Sequence, residues 1–143
     1  MSGQNKKELL GILRSFYSFR FAPINYINFI FSKVQGSFPK IKGRFLIINK
    51  GGRIFFGKSI RINSSRYANI ICGDTRASLV VEAGAELRFG DNVSISNSAI
   101  CCANKVVIGN NVMIGGGCRI WDSDFHPINF IQRKLTPNSN FIT

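Results

Sequence analysis

The chain has 143 residues, 45% of them hydrophobic and 18% charged, with 19 basic and seven acidic side chains. That length suits a single domain with a core of its own, so neither disulfide nor metal staples are required. Hydrophobicity at this level argues against disorder. Arg14, Arg20, Pro23 and Lys33 break the apolar runs well short of the ~20 residues of a membrane span. No secretory signal is expected either, because the apolar stretch after Lys6 and Lys7 soon meets Arg14 and no small-residue cleavage site follows.

The first predicted element lies in ELLGILRSFYSFRFAPINYINFIFSKV (8–34), where apolar and basic residues alternate. Residues 8–21 read as one amphipathic helix that ends before Pro23, with a second short helix or an extended run after it. Gly36 and Pro39 then punctuate the chain. From Ile41 onward β-branched runs alternate with Gly, Asn, Asp and Ser, the pattern of many short strands.

Those strands carry a period of six. Stepping by six from Ala77 reaches Ala83, Phe89, Ile95 and Cys101; after a one-residue slip, stepping from Ile108 reaches Ile114, Ile120 and His126. The position four residues on reads Val81, Leu87, Val93 and Ala99, then Val112, Cys118 and Asp124. All are apolar until Asp124 and His126 break the rule together. FGDNVSIS (89–96) and IGNNVMIG (108–115) match almost letter for letter, and FGKSIRIN (56–63) is a fainter copy. Short strands that turn a corner every hexad and stack coil on coil explain this phasing. An antiparallel sandwich, with strands at 8–12-residue spacing, does not.

Charge is divided unevenly. Residues 1–66 hold thirteen Lys and Arg against one acid, Glu8, whereas residues 67–143 hold six of each sign. Such a basic, aromatic-rich half suits anionic lipid, acidic glycan or a phosphate group, or is simply a solvated face. Nucleic acid is the weaker reading, since no reader motif is present. The four cysteines, Cys72, Cys101, Cys102 and Cys118, lack a metal-ligand spacing and read as reduced, small, buried side chains.

Residues 41–143, most specifically 89–128, resemble the hexapeptide-repeat acyltransferases. IGNNVMIGGGCRIWDSDFHPI (108–128) is closest to the maltose and galactoside O-acetyltransferases and to the acetyltransferases of capsule and exopolysaccharide synthesis. The resemblance implies an all-β fold, a left-handed parallel β-helix, over residues 41–143, with a basic, partly helical segment over 1–40. Left-handedness comes from the family alone, since parallel crossovers are otherwise right-handed. It further implies direct acetyl transfer from acetyl-CoA to a sugar hydroxyl and a homotrimer with each active site between two subunits. With no secretory signal the expected location is the cytoplasm, and the basic N-terminal half suits peripheral contact with the inner face of an anionic membrane.

His126, the one histidine, falls where the family's general base lies. An unperturbed imidazole pKa of about 6.5 suits that task. Asn97, Trp121 and Asp124 are the candidate substrate-binding residues. Asn97 lies in the coil where relatives bind the acceptor, and Trp121 is placed to stack on a sugar or on the acyl donor, though an aromatic there also serves packing. Asp124 either orients His126 and the acceptor or caps the loop turn; Asp122 reads as turn structure. No residue is assigned to coenzyme A; Gly115–Gly117 serve either its approach to the backbone or a corner. A zinc carbonic anhydrase on the same fold needs three histidine ligands, which one histidine per chain does not supply. Relatives return from the histidine loop into further coils, whereas here RKLTPNSNFIT (133–143) ends inside it. The expectation is therefore a shortened family member. The alternative is a catalytically inactive β-helical scaffold that binds membrane or glycan.

Overall fold

The computed structural model describes residues 19–69, 71 and 75–124 and, ahead of them, positions 5, 8, 9, 11, 12, 15 and 16. Those earlier positions are helical, as is Phe19, and the chain turns at Arg20 and Phe21. A short helix, α1 (Ala22–Phe31), follows at once, with proline in its first turn. There the fixed φ is already helical and the missing N–H has no intrahelical partner to lose. Its C-terminus closes with Lys33 in the left-handed region (φ 52°). Lys33 N–H donates to Ile30 O and Val34 N–H to Phe29 O, the paired bonds that satisfy a helix end.

Among the described residues after α1, twelve short strands follow: β1 (Gln35–Gly36), β2 (Lys40–Gly43), β3 (Leu46–Asn49), β4 (Arg53–Phe56), β5 (Arg61–Ser64), β6 (Ser78–Val81), β7 (Glu86–Phe89), β8 (Ser94–Ser96), β9 (Ala99–Cys102), β10 (Lys105–Ile108), β11 (Met113–Ile114) and β12 (Arg119–Trp121). They form three four-stranded sheets in the orders β1-β4-β7-β10, β2-β5-β8-β11 and β3-β6-β9-β12. Every pairing is parallel. Each strand thus passes to the next sheet, and every third strand returns to the first, an arrangement that fits a β-helical solenoid.

Register stacks like on like. One interior column is Ile41, Ile62, Ile95 and Ile114; another is Ile47, Leu79, Ile100 and Ile120. In the third sheet-facing column Phe56 lies beside Phe89, which lies beside Ile108. Phe56 and Phe89 meet edge to face at 5.0 Å, and Phe29 of α1 closes the column on Phe56 at 5.8 Å.

The three sequence copies stack at one corner. Ser59, Asn92 and Asn111, each fourth in its copy, all adopt left-handed backbone (φ 57°, 56° and 58°). Gly57 and Gly90 are required there by close approach: a Cβ on Gly57 would lie 2.5 Å from Asp91 Oδ1. That carboxylate tucks under the corner to accept Lys58 N–H at 2.7 Å, and Asn110 Oδ1 accepts Asp91 N–H in the same way one coil on.

Two details of the six-residue phase differ from expectation. Ala83 is exposed on a turn and Ala85 takes the interior place. The slip falls at Asn97–Ser98 rather than after Cys101, so Ile100 and Cys102 point inward while Ala99 and Cys101 face outward. The cause is a polar corner: both residues are buried, and Ser98 Oγ–H reaches Gly115 O at 2.6 Å and Ser96 O at 2.7 Å. Cys118, expected inside, is exposed. Residues 65–77 separate β5 from β6, which is why Phe56 pairs with Phe89 although one coil elsewhere takes about twenty residues.

Candidate functional site

The last described coil, β10 to β12, leads straight into Asp122, Ser123 and Asp124. Trp121 is the final residue of β12, beside Cys101, and its side chain is exposed. Asp122 turns back toward the preceding coil. Its carboxylate accepts Ala103 N–H at 2.6 Å, Asn104 N–H at 2.8 Å and Lys105 N–H at 2.7 Å, stapling the β9–β10 corner. Asp122 is therefore the turn residue expected of it. Partial burial works against its charge, but the three N–H donors outweigh that and hold its carboxyl below the ordinary 3.8.

Asp122→Asn should cost about 1–2 kcal/mol of stability at pH 7, near the lower bound for lost charge-assisted bonds because water reaches part of this corner. A carboxyl whose folded pKa is depressed stabilises the fold above its unfolded pKa and loses that contribution as pH falls through the folded value. Denaturant titrations should accordingly show the gap between wild type and Asp122→Asn closing only at pH below 3.8.

Asp124 is exposed, three residues beyond Trp121. His126 lies outside the described residues. Asn97 sits at a different corner, where the second sheet hands over to the third. Its backbone is left-handed (φ 39°), its side chain is only 2% exposed, and its Nδ2–H donates to Asn69 O at 3.1 Å and Ser65 O at 3.4 Å. Its Oδ1 has no hydrogen-bond partner among the described residues. Asn97 thus ties Ser65 and Asn69, which follow β5, to its own corner. One strand of the third sheet, about 10 Å at 3.3 Å per residue, separates its corner from that of Asp124. Within one chain the structure does not bring Asn97 together with Trp121 and Asp124.

Gly115–Gly117 lie exposed at the corner between β11 and β12, and a Cβ on Gly115 or Gly117 would meet nothing within 4 Å. Gly117 itself takes a left-handed turn (φ 79°) and donates its N–H to Asn97 O. Among the described residues no three His, Cys, Asp or Glu side chains gather to hold a metal.

Cys102 is buried with its Sγ 3.3 Å from Glu86 O. Burial pushes its thiol up to about 11, and the Asp122 carboxylate adds to the effect, so at neutral pH it is no nucleophile. Glu86 had drawn no notice in the sequence. It projects from β7 between Arg53 at 3.1 Å, Lys105 at 3.4 Å and Arg88 at 3.9 Å, on three adjacent strands of the first sheet. Desolvation opposes its charge, yet Lys105 first, then Arg53 and Arg88, hold its carboxyl below 4.5.

One column on the outer face of the third sheet is apolar: Ile48, Val80, Cys101 and Trp121, with Ile48 and Trp121 exposed. Beside it run Leu46, Ser78, Ala99 and the charged Arg119. Compared with protein-family models, curated proteins and solved structures, the chain matches none.

Proposed function

We propose that the chain is an acetyl-CoA-dependent O-acetyltransferase of the hexapeptide-repeat family, built on a left-handed parallel β-helix and acting on a sugar hydroxyl in capsule, exopolysaccharide or lipopolysaccharide synthesis. The observation that carries this reading is the junction of fold and motif. Parallel strands cycle through three sheets, and the sequence WDSDFHP leaves the last of those strands with Asp122 locked to the corner below.

In this reading His126 removes the proton of the acceptor hydroxyl as its oxygen bonds to the thioester carbonyl carbon. The C–S bond then breaks, and the imidazolium returns the proton to the leaving thiolate. Backbone N–H groups suffice to hold the intermediate oxyanion. Asp124 and Trp121 stand on the acceptor side, Asp124 to orient His126 or the sugar and Trp121 to stack on its ring.

A homotrimer accounts for the separation of Asn97 from Asp124, because a site shared between two subunits takes each from a different chain. The apolar column of Ile48, Val80, Cys101 and Trp121 on the outer face of β3, β6, β9 and β12 supports such packing. Use of acetyl-CoA assigns the reaction to the cytoplasm. No helix among the described residues is long and apolar enough to cross a membrane.

The test is incubation of the full chain with acetyl-CoA and a panel of mono- and oligosaccharides, reading free thiol release and acetylated sugar by mass spectrometry. Transfer to at least one acceptor is expected. No transfer to any of them, with no saturable acetyl-CoA binding by calorimetry, would overturn the reading and leave the β-helical scaffold.

A further inference from the structure

Helix α1 is amphipathic the wrong way round for a helix that merely covers a protein. A surface helix normally turns apolar residues inward and polar ones outward. Here the inward side carries Asn25, Asn28, Phe29 and Ser32. Both asparagines are spent on the edge of the solenoid. Asn25 bonds Gly43 O and Phe45 N–H, and Asn28 bonds Ile47 O and Ile47 N–H. The outward side carries Ile24, Ile27 and Phe31 at i, i+3 and i+7, with Tyr26 and Ile30 beside them; Ile27 is 53% and Phe31 82% exposed. Ahead of α1, Leu9, Ile12, Phe16 and Phe19 are exposed at helical positions spaced by three, four and three.

The surroundings are cationic throughout. Arg20 and Lys33 bracket α1. Lys40 and Lys42 line a cavity of about 530 Å³ together with Ala22 of the helix, and Arg44 lines a neighbouring one with Phe21. The sequence has no acidic residue between Glu8 and Asp74. A second copy of this chain brought face to face would oppose like charge to like charge, which disfavours self-association here. Exposed aliphatic and aromatic side chains with Lys and Arg at both ends of the helix and beside its start match the acyl and headgroup layers of an anionic bilayer.

We propose that α1, with the basic residues around it, is an interfacial membrane-docking surface that seats Ile24, Ile27 and Phe31 among the acyl chains of an anionic lipid leaflet. The surface stands independently of the acetyltransferase reading, since neither its residues nor its test involve His126 or acetyl-CoA.

The experiment is flotation of the full chain with phosphatidylcholine vesicles and with vesicles containing phosphatidylglycerol, at low and at high salt. Binding to the anionic vesicles is expected, weakening as salt screens the lysines. Ile27→Ser with Phe31→Ser should reduce partitioning by about tenfold or more, because two large side chains no longer leave water. Lys40→Ala with Lys42→Ala should reduce it on anionic vesicles alone. All four side chains point outward, so circular dichroism and melting should match wild type. Should the apolar pair fail that check, the lysine pair decides. Equal binding to both lipids, no binding, or binding unaffected by the variants overturns the proposal. So does an oligomer that Ile27→Ser with Phe31→Ser dissociates while vesicles bind nothing, which assigns the face to a second copy, or capture of only an acidic protein.

Discussion

His126→Ala should lower acetyl transfer by about 10²–10⁴-fold, the range for removing a positioned general base. Melting should not change, because the solenoid core is built from Ile, Leu, Val and Phe of the preceding coils. The wild-type pH profile supplies the second arm. On the acid limb kcat/KM should fall tenfold per pH unit and level off above it, as loss of one general base to protonation requires, and His126→Ala should lack that limb. Transfer by His126→Ala at the wild-type rate would falsify the assignment. Asp124→Asn separates that residue's two roles: lost kcat with unchanged melting marks it as orienting the base, whereas lowered melting with normal kcat marks it as a loop cap.

Replacing Asn25 and Asn28 together with leucine should remove about 2–6 kcal/mol of stability, at roughly 0.5–1.5 kcal/mol for each of four hydrogen bonds. The leucines resemble asparagine in size but leave Phe45 N–H and Ile47 N–H beneath an apolar helix with no acceptor. The consequence reaches beyond stability. Among the described residues β2 pairs only with β5, and β3 only with β6, so their other edges are open templates for a further strand. The primary amides of Asn25 and Asn28 imitate the missing strand, each offering one donor and one acceptor to the backbone. Their loss should therefore appear both as a lower denaturation midpoint and as concentration-dependent light scattering. A double variant that melts and scatters like wild type would show that α1 holds the edge without these amides, through Phe29 and the Asn49 bond to Ser32 O.

Local chemistry wrote much of this fold in readable form. An apolar residue every sixth position must find an interior, and Phe89, Ile95, Ile108 and Ile114 do so because the strands are too short to let the phase drift. The repeated Gly-Asp-Asn, Gly-Asn-Asn and Gly-Lys-Ser steps mark corners because the position after the turn must take left-handed backbone, which Asn, and here Ser, tolerates. The helical start before Pro23 followed from composition and spacing.

What only the tertiary structure decided depends on residues brought together by stacking about twenty positions apart. Whether a buried corner holds methyl groups or the amide of Asn97 cannot be judged from a period, since the amide's partners, Ser65 and Asn69, follow β5 in another coil. The phase slip moved to that corner for this reason. Nor does an asparagine within an apolar helix announce itself as a strand edge cap; its meaning comes from the backbone of Gly43, Phe45 and Ile47 laid against it. The sequence by itself determined the short-strand periodicity, the inward residues outside the Asn97–Ser98 slip, Ala83 and Cys118, and the basic half, because burial and turn chemistry act over a few residues. Stacking decided the edge caps, the outward apolar face of α1 and the corner staple of Asp122, because each needs two coils in register.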